Sequence, residues 1–206
     1  MKTALEALNR LREGNRRFVD GTSNHESMSP ARRNALATGQ EPFAIILGCS
    51  DSRVPAELVF DQGLGDLFVI RIAGNIVAPS QIGSVEFAAE RFGTPLVVVL
   101  GHSRCGAVSA TLEAIAGSQQ SASRHIHSIV ERVRPSVEPL LATELRHDPD
   151  ALVKQAVRAN VRASANQLRH GSDMLEELIQ KNKLLIVGAE YSLETGEVDF
   201  FEGVPG

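Results

Sequence analysis

The sequence predicts an α/β fold: a mostly parallel β-sheet of about four strands plus an antiparallel edge strand, with helices on both faces and an N-terminal helical extension. Three observations predict it. Short runs rich in Val, Ile and Leu alternate with longer stretches of helical periodicity. The short runs are apolar almost without interruption, the pattern of strands covered on both sides. Gly, Pro or polar clusters bound each of them. A chain of 206 residues is long enough for one well-filled core and argues against two, so residues 1–206 are read as a single domain.

The elements follow in order. "MKTALEALNRLREGNRRF" has the spacing of an amphipathic helix; its cluster Arg10, Arg12, Arg16 and Arg17 is diluted by Glu6 and Glu13 and reads as a solvated face. It lacks the continuous apolar stretch and small-residue cleavage site of a secretory leader. "FAIILGC" (43–49), "LFVIRIAG" (67–74), "PLVVVLGH" (95–102) and "LLIVGAEY" (184–191) read as strands, and "EVDFFEG" after the Glu194-Thr195-Gly196 turn as the antiparallel return. "SQIGSVEFAAERF" reads as a helix closed by Gly93, and "GAVSATLEAIAG" as a second. From Ser123 to Gln180 the pattern is helical with breaks expected at Pro135, Pro139, Pro149 and Gly171.

Composition narrows the class. A net charge of −4 without a basic stripe gives no footing for nucleic acid. No run of about 18 apolar residues suggests a membrane span. A cytoplasmic setting is expected, and there the only two cysteines, Cys49 and Cys105, suit metal binding or catalysis better than a disulfide.

Position then points to chemistry. Parallel sheets carry their sites outside the carboxyl ends of the strands. Cys49 ends the first predicted strand, His102 ends the third, and Cys105 lies just beyond it at the start of a helix. Together they supply a Cys₂His set, which suits a catalytic Zn²⁺ with one open position. Either cysteine alone would read as a small buried hydrophobe. Asp51 and Arg53 follow Cys49 at steps of two, so an extended turn would let the guanidinium hold the carboxylate ionised; in isolation they would read as a surface ion pair. "GHSRC" also matches the start of a nucleophile elbow at Ser103, but Cys105 stands where glycine is wanted, and Asp173 and His170 offer a poor triad. The three residues between Cys49 and Arg53 are too few for a cysteine-phosphatase loop. His125 and His127, at spacing two, do not share a helix face, and His25, His147 and His170 lie in polar surroundings.

With "CSDSRV", "DQGLGDLFVIRIAGN", "GHSRCGA" and "LREGNRRF" in this order, the chain resembles the β-class carbonic anhydrases from about Leu5 to Phe201, most weakly between Gly117 and Lys183. The resemblance implies one Zn²⁺ per subunit on Cys49, His102 and Cys105, and reversible hydration of CO₂ to bicarbonate by hydroxide on the metal, oriented by the dyad Asp51 and Arg53. It implies that Asp51 becomes a fourth zinc ligand in a closed state adopted by some members. Gln40 matches a glutamine that reaches substrate in the neighbouring subunit, while Phe68 and Phe87 match aromatic positions of a narrow substrate pocket. A homodimer or homotetramer is implied, with residues 1–40 as a helical arm packing on the partner, and CO₂/bicarbonate as the small-molecule partner. The tryptophan used by bicarbonate-regulated members is replaced by Ile46, although Arg71 and Tyr191 occupy companion positions, so that regulatory site is expected to be missing. A zinc-binding protein of the same fold without activity, and a hydrolase using Ser103, are the competing readings.

Overall fold

A computed structural model describes residues 3–23, 29–117 and 123–205. The first helix, α1 (Ala4–Val19), starts where side chains replace missing backbone partners: Thr3 Oγ1 accepts from the Glu6 N–H, and the Glu6 carboxylate accepts from the Thr3 N–H. Its apolar stripe, Ala7, Leu8 and Leu11, is fully buried against this chain's own sheet. Buried Asn15 fixes the seat, donating through Nδ2 to Val59 O (3.0 Å) and Gly196 O (2.9 Å) and accepting from the Val198 N–H. A short α2 (Pro30–Ala35) follows.

Five strands form one sheet: β1 (Ala44–Gly48), β2 (Leu67–Arg71), β3 (Leu96–His102), β4 (Leu185–Tyr191) and β5 (Val198–Glu202), in the order β2-β1-β3-β4-β5. Every pairing is parallel except β4 with β5. The expected architecture is therefore present, antiparallel edge included. Strand order reverses between β1 and β3, so the crevice at their carboxyl ends is the switch point where such sheets hold their sites. β2 stops at Arg71 rather than continuing to Gly74, because Ala73–Asn75 turn in a 3₁₀ loop with Gly74 at φ 69° and Asn75 at φ 43°.

The remaining α-helices among the described residues are α3 (Ala56–Val59), α4 (Pro79–Phe92), α5 (Gly106–Ile115), α6 (Arg124–Val137), α7 (Pro149–His170) and α8 (Asp173–Gln180). Gly93, left-handed at φ 63°, terminates α4 as expected. Pro135 does not terminate α6, which runs on to Val137. The carbonyl that Pro135 leaves without its helical partner belongs to exposed Glu131, while Val130, Val133 and Val137 remain buried on the opposite side.

Three apolar clusters result. One unites α1 and α3 with Ile46, Val98, Leu100 and Val187 on one face of the sheet; a second unites α4, α7 and α8 with Ile45, Leu47, Val97 and Val99 on the other. The alternation along β1 and β3 splits their side chains between the two. A third, built from α5, α6 and the first half of α7, encloses Cys49 and Cys105 at the carboxyl end. Close approach of α7 depends on glycine: a Cβ on Gly101 would lie 2.5 Å from Val161, and one on Gly188 2.7 Å from it.

Gly14 makes the same kind of allowance for α1, since a Cβ there would fall 1.8 Å from Phe60 O. In an open helix Gly→Ala stabilises by up to about 1 kcal/mol. Here Gly14→Ala is expected to destabilise by about 1–3 kcal/mol, as overpacking does; urea unfolding that shows a gain would contradict this seating of α1.

Candidate metal centre

Each of the three candidate metal-binding residues arrives on a different device. Cys49 follows the last residue of β1, and His102 is the last residue of β3, one strand over in parallel register. Cys105 is the N-cap of α5, where unpaired N–H groups and the positive end of the helix dipole favour a thiolate. All three residues are buried, and their ligand atoms lie within 4.8 Å of one another.

The histidine reports what belongs between them. His102 Nδ1 sits 2.9 Å from Ser103 O, which places the proton on Nδ1 and leaves a lone pair on Nε2. That Nε2 is buried without a hydrogen-bond partner, a state that costs about 1–3 kcal/mol. Two thiols face it across the same space. The Cys105 S–H donates to Cys49, and this bond, against the opposing effect of burial, draws the Cys49 thiol down to about 4, assisted by His102 and the N–H groups of Asp51 and Gly74. Cys105 is pushed up by the bond to Cys49 and by burial. Burial opposes the charge of His102, but the facing Cys49 outweighs it and raises the imidazole. A buried set of one lone pair and two sulfurs sharing a proton is completed by a dication, and mixed thiolate and imidazole donors suit zinc.

Beside this set lies the Asp51–Arg53 ion pair. Arg53 Nε donates to Asp51 Oδ1 at 2.9 Å and Nη2 to Oδ2 at 2.8 Å, and the Arg53 N–H adds a third bond to Oδ1 at 3.0 Å. Those bonds hold the Asp51 carboxyl well below the usual carboxylate range. Oδ2 lies 3.9 Å from His102 Nε2. The turn carrying Asp51 and Arg53 is itself clamped by a residue the sequence did not mark for this role: Arg71 Nε donates to Cys49 O (3.0 Å) and Nη2 to Asp51 O (2.6 Å). A basic residue ending an apolar strand was the available signal. Ile46 is fully buried and Tyr191 nearly so.

Not every expected residue converges on the cluster. Gln40 is exposed ahead of β1, and a five-residue strand, about 16 Å at 3.3 Å per residue, separates it from Cys49. Phe68 and Phe87 pack against each other and Phe92 at ring separations of 5.7–6.2 Å, with Phe87 left 53% exposed. Ser103 is no nucleophile: its hydroxyl donates to Glu194 at 2.8 Å and accepts from the Leu193 N–H at 2.9 Å, while the adjacent imidazole contacts only its backbone carbonyl. His125, His127, His147 and His170 are exposed; His25 lies outside the described residues.

Comparison with known proteins agrees with this geometry. The carbonic anhydrase family profile matches residues 44–198. Carbonic anhydrase 2 of Mycobacterium tuberculosis is 44% identical over 186 residues, covering 90% of this chain and 87% of that protein. Among solved structures, one of the tetrameric β-carbonic anhydrases of Sordaria macrospora superposes with a TM-score of 0.74 at 26% identity, covering 84% of this chain and 87% of that one. The Coccomyxa β-carbonic anhydrase, solved with acetazolamide, gives 0.73 at 25% identity over 94% and 86%. By its sequence, its sheet and its Cys-His-Cys cluster, this chain belongs to the β-class carbonic anhydrases, zinc enzymes that hydrate CO₂.

Proposed function

We propose that Asp51 and Arg53 are the catalytic dyad of reversible CO₂ hydration at the Cys49-His102-Cys105 centre. The observation that carries this reading is the two-pronged Arg53–Asp51 pair beside the buried cluster. When bound, zinc supplies the acidity that makes a hydroxide nucleophile available near neutral pH, the chemistry for which three-histidine carbonic anhydrases of another fold are the type case. Asp51 accepts the nucleophile's remaining proton in a hydrogen bond at Oδ2, which turns an oxygen lone pair toward CO₂. Arg53 keeps that carboxylate ionised and fixes its plane, because both oxygens are engaged. So held, Asp51 acts as an acceptor, and we assign the resting enzyme the open state rather than the one in which Asp51 is a ligand. Arg71 prevents the turn from drifting by holding two of its carbonyls.

Substrate and assembly belong to the same proposal. Phe68 and Phe87 form an apolar wall for CO₂, completed by a second copy of the chain over the exposed Phe87 ring. Gln40, at the far end of its own sheet, reaches the partner's site, so the working unit is at least a homodimer, with a homotetramer as its doubled form and the 1–40 arm contributing to the contact. We place the enzyme in the cytoplasm, since reduced cysteines are needed as ligands. No helix among the described residues is long and apolar enough to cross a membrane.

Two thiolates neutralise more of the metal's charge than imidazoles would, so hydration is expected to rise steadily from pH 6 to pH 9 in stopped-flow assays. Asp51 does not produce that rise: with its acidity increased by Arg53, it is ionised throughout this range and loses its charge only in strong acid. Equal rates at the two ends would refute the charge argument. Asp51→Asn is expected to lower kcat by about a hundredfold or more at every pH in the range, with zinc content unchanged.

Dimer sharing has its own test. Gln40→Ala and Asp51→Asn proteins, each impaired alone, are mixed, unfolded and refolded together. Hybrid dimers contain one site with wild-type Asp51 and the partner's wild-type Gln40, so activity above either parent is expected. Mixtures no better than the average of the parents would show that Gln40 does not act across the interface.

A further inference from the structure

We propose that Asn160 on α7 is a positioning residue for the metal centre: it holds the Gly74–Asn75 turn so that the Gly74 N–H donates to the Cys49 sulfur. The inference deepens the reading above and rests on Cys49 being a metal ligand. Three contacts carry it. Gly74 N lies 3.4 Å from Cys49 Sγ. Asn160 Nδ2 donates to Gly74 O at 2.7 Å, and Ser164 Oγ donates to Asn75 O at 2.9 Å. Asn160 and Ser164 are 2% and 4% exposed and four residues apart, so they share one face of α7 and grip consecutive carbonyls.

The turn requires such a grip. Gly74 and Asn75 are both left-handed, at φ 69° and 43°; glycine adopts this conformation freely, but at Asn75, which bears a Cβ, it is unfavourable and persists where surroundings enforce it. Both residues are buried, so their carbonyls would lack partners if α7 presented apolar side chains there. A Cβ on Gly74 would lie 3.0 Å from Ala107 Cβ, so α5 closes the turn from the other side. The result is a continuous path from helix α7 through a backbone turn to a ligand sulfur.

Its chemical effect has a definite sign. An N–H directed at a thiolate withdraws electron density from it, so the sulfur donates less to the metal, and the metal retains more of its acidity. In a centre with two thiolates, that moderation favours turnover near neutral pH. Losing it makes Cys49 a stronger donor.

Cobalt substitution reads this directly, because sulfur-to-Co²⁺ charge transfer shifts to longer wavelength as the sulfur becomes more electron-rich. In Asn160→Leu the band is expected to move to longer wavelength, and zinc affinity, by chelator competition, to fall about tenfold or more, because displacement of the turn that fixes Cys49 outweighs the stronger donation of its sulfur. Ser164→Ala should shift the band the same way by less, and it carries the test if Asn160→Leu does not fold. Leu168→Ala, on the same helix and fully buried away from the turn, is the control: lower Tm, unmoved band, unchanged zinc retention. A folded Asn160→Leu or Ser164→Ala protein with the wild-type band overturns the inference, as does an equal shift in Leu168→Ala. Absence of any thiolate band in the wild type overturns the ligand reading itself, and this inference with it.

Discussion

Everything near the carboxyl end of the sheet answers to one constraint: two sulfurs and an imidazole nitrogen are packed together on buried residues. Without a cation that packing is unfavourable twice over, since Nε2 lacks a partner and the thiols cannot both ionise side by side. Folding therefore leaves stabilisation to be gained on metal binding. Adjacent parallel strands deliver Cys49 and His102 to the same height, and the first residue before α5 brings Cys105 back over them. A shift of one residue in either strand would turn a ligand to the opposite face.

The backbone around the ligands is held by side chains whose charge or hydrogen bonds are committed to carbonyls. Arg71 secures Cys49 and Asp51, and Asn160 and Ser164 secure Gly74 and Asn75. The Ser103 carbonyl orients the imidazole, while the Ser103 hydroxyl ties the same turn to the β4–β5 connection through Leu193 and Glu194. Such bonds are individually modest, about 0.5–1.5 kcal/mol. Their importance is geometric, because a tetrahedral shell tolerates little displacement of its donors.

How much of this was legible depended on the range of the interaction. Strands could be read from uninterrupted apolar runs such as "PLVVV", and the ligands from chemically versatile residues at the ends of those runs. The Asp51–Arg53 pair spans two residues, so its geometry was also accessible. The end of β2 was not: "RIAGN" continues an apolar pattern past Arg71, and only the left-handed turn at Gly74 and Asn75 interrupts it. Nor was Asn160, whose bond to Gly74 spans 86 positions in the chain and leaves no local periodicity. An Asn in a helix reads as a solvated residue until the fold shows it buried. Pro135 misled for the converse reason: an exposed carbonyl tolerates the loss of its partner.

The serine of "GHSRC" shows why sequence context alone does not assign a nucleophile. A hydroxyl becomes nucleophilic when an imidazole nitrogen with a free lone pair can take its proton. Here the neighbouring imidazole has Nδ1 committed to a carbonyl and turns Nε2 toward two sulfurs, away from the hydroxyl. Ser103 is left to donate to a carboxylate and accept from an amide, and each bond fixes the turn more firmly. The left-handed φ of 54° at Arg104, paired with the same Glu194, shows the turn being held in a shape it would not adopt freely. What resembles a catalytic elbow is thus a brace, and its rigidity is what lets His102 and Cys105, three residues apart, address one ion.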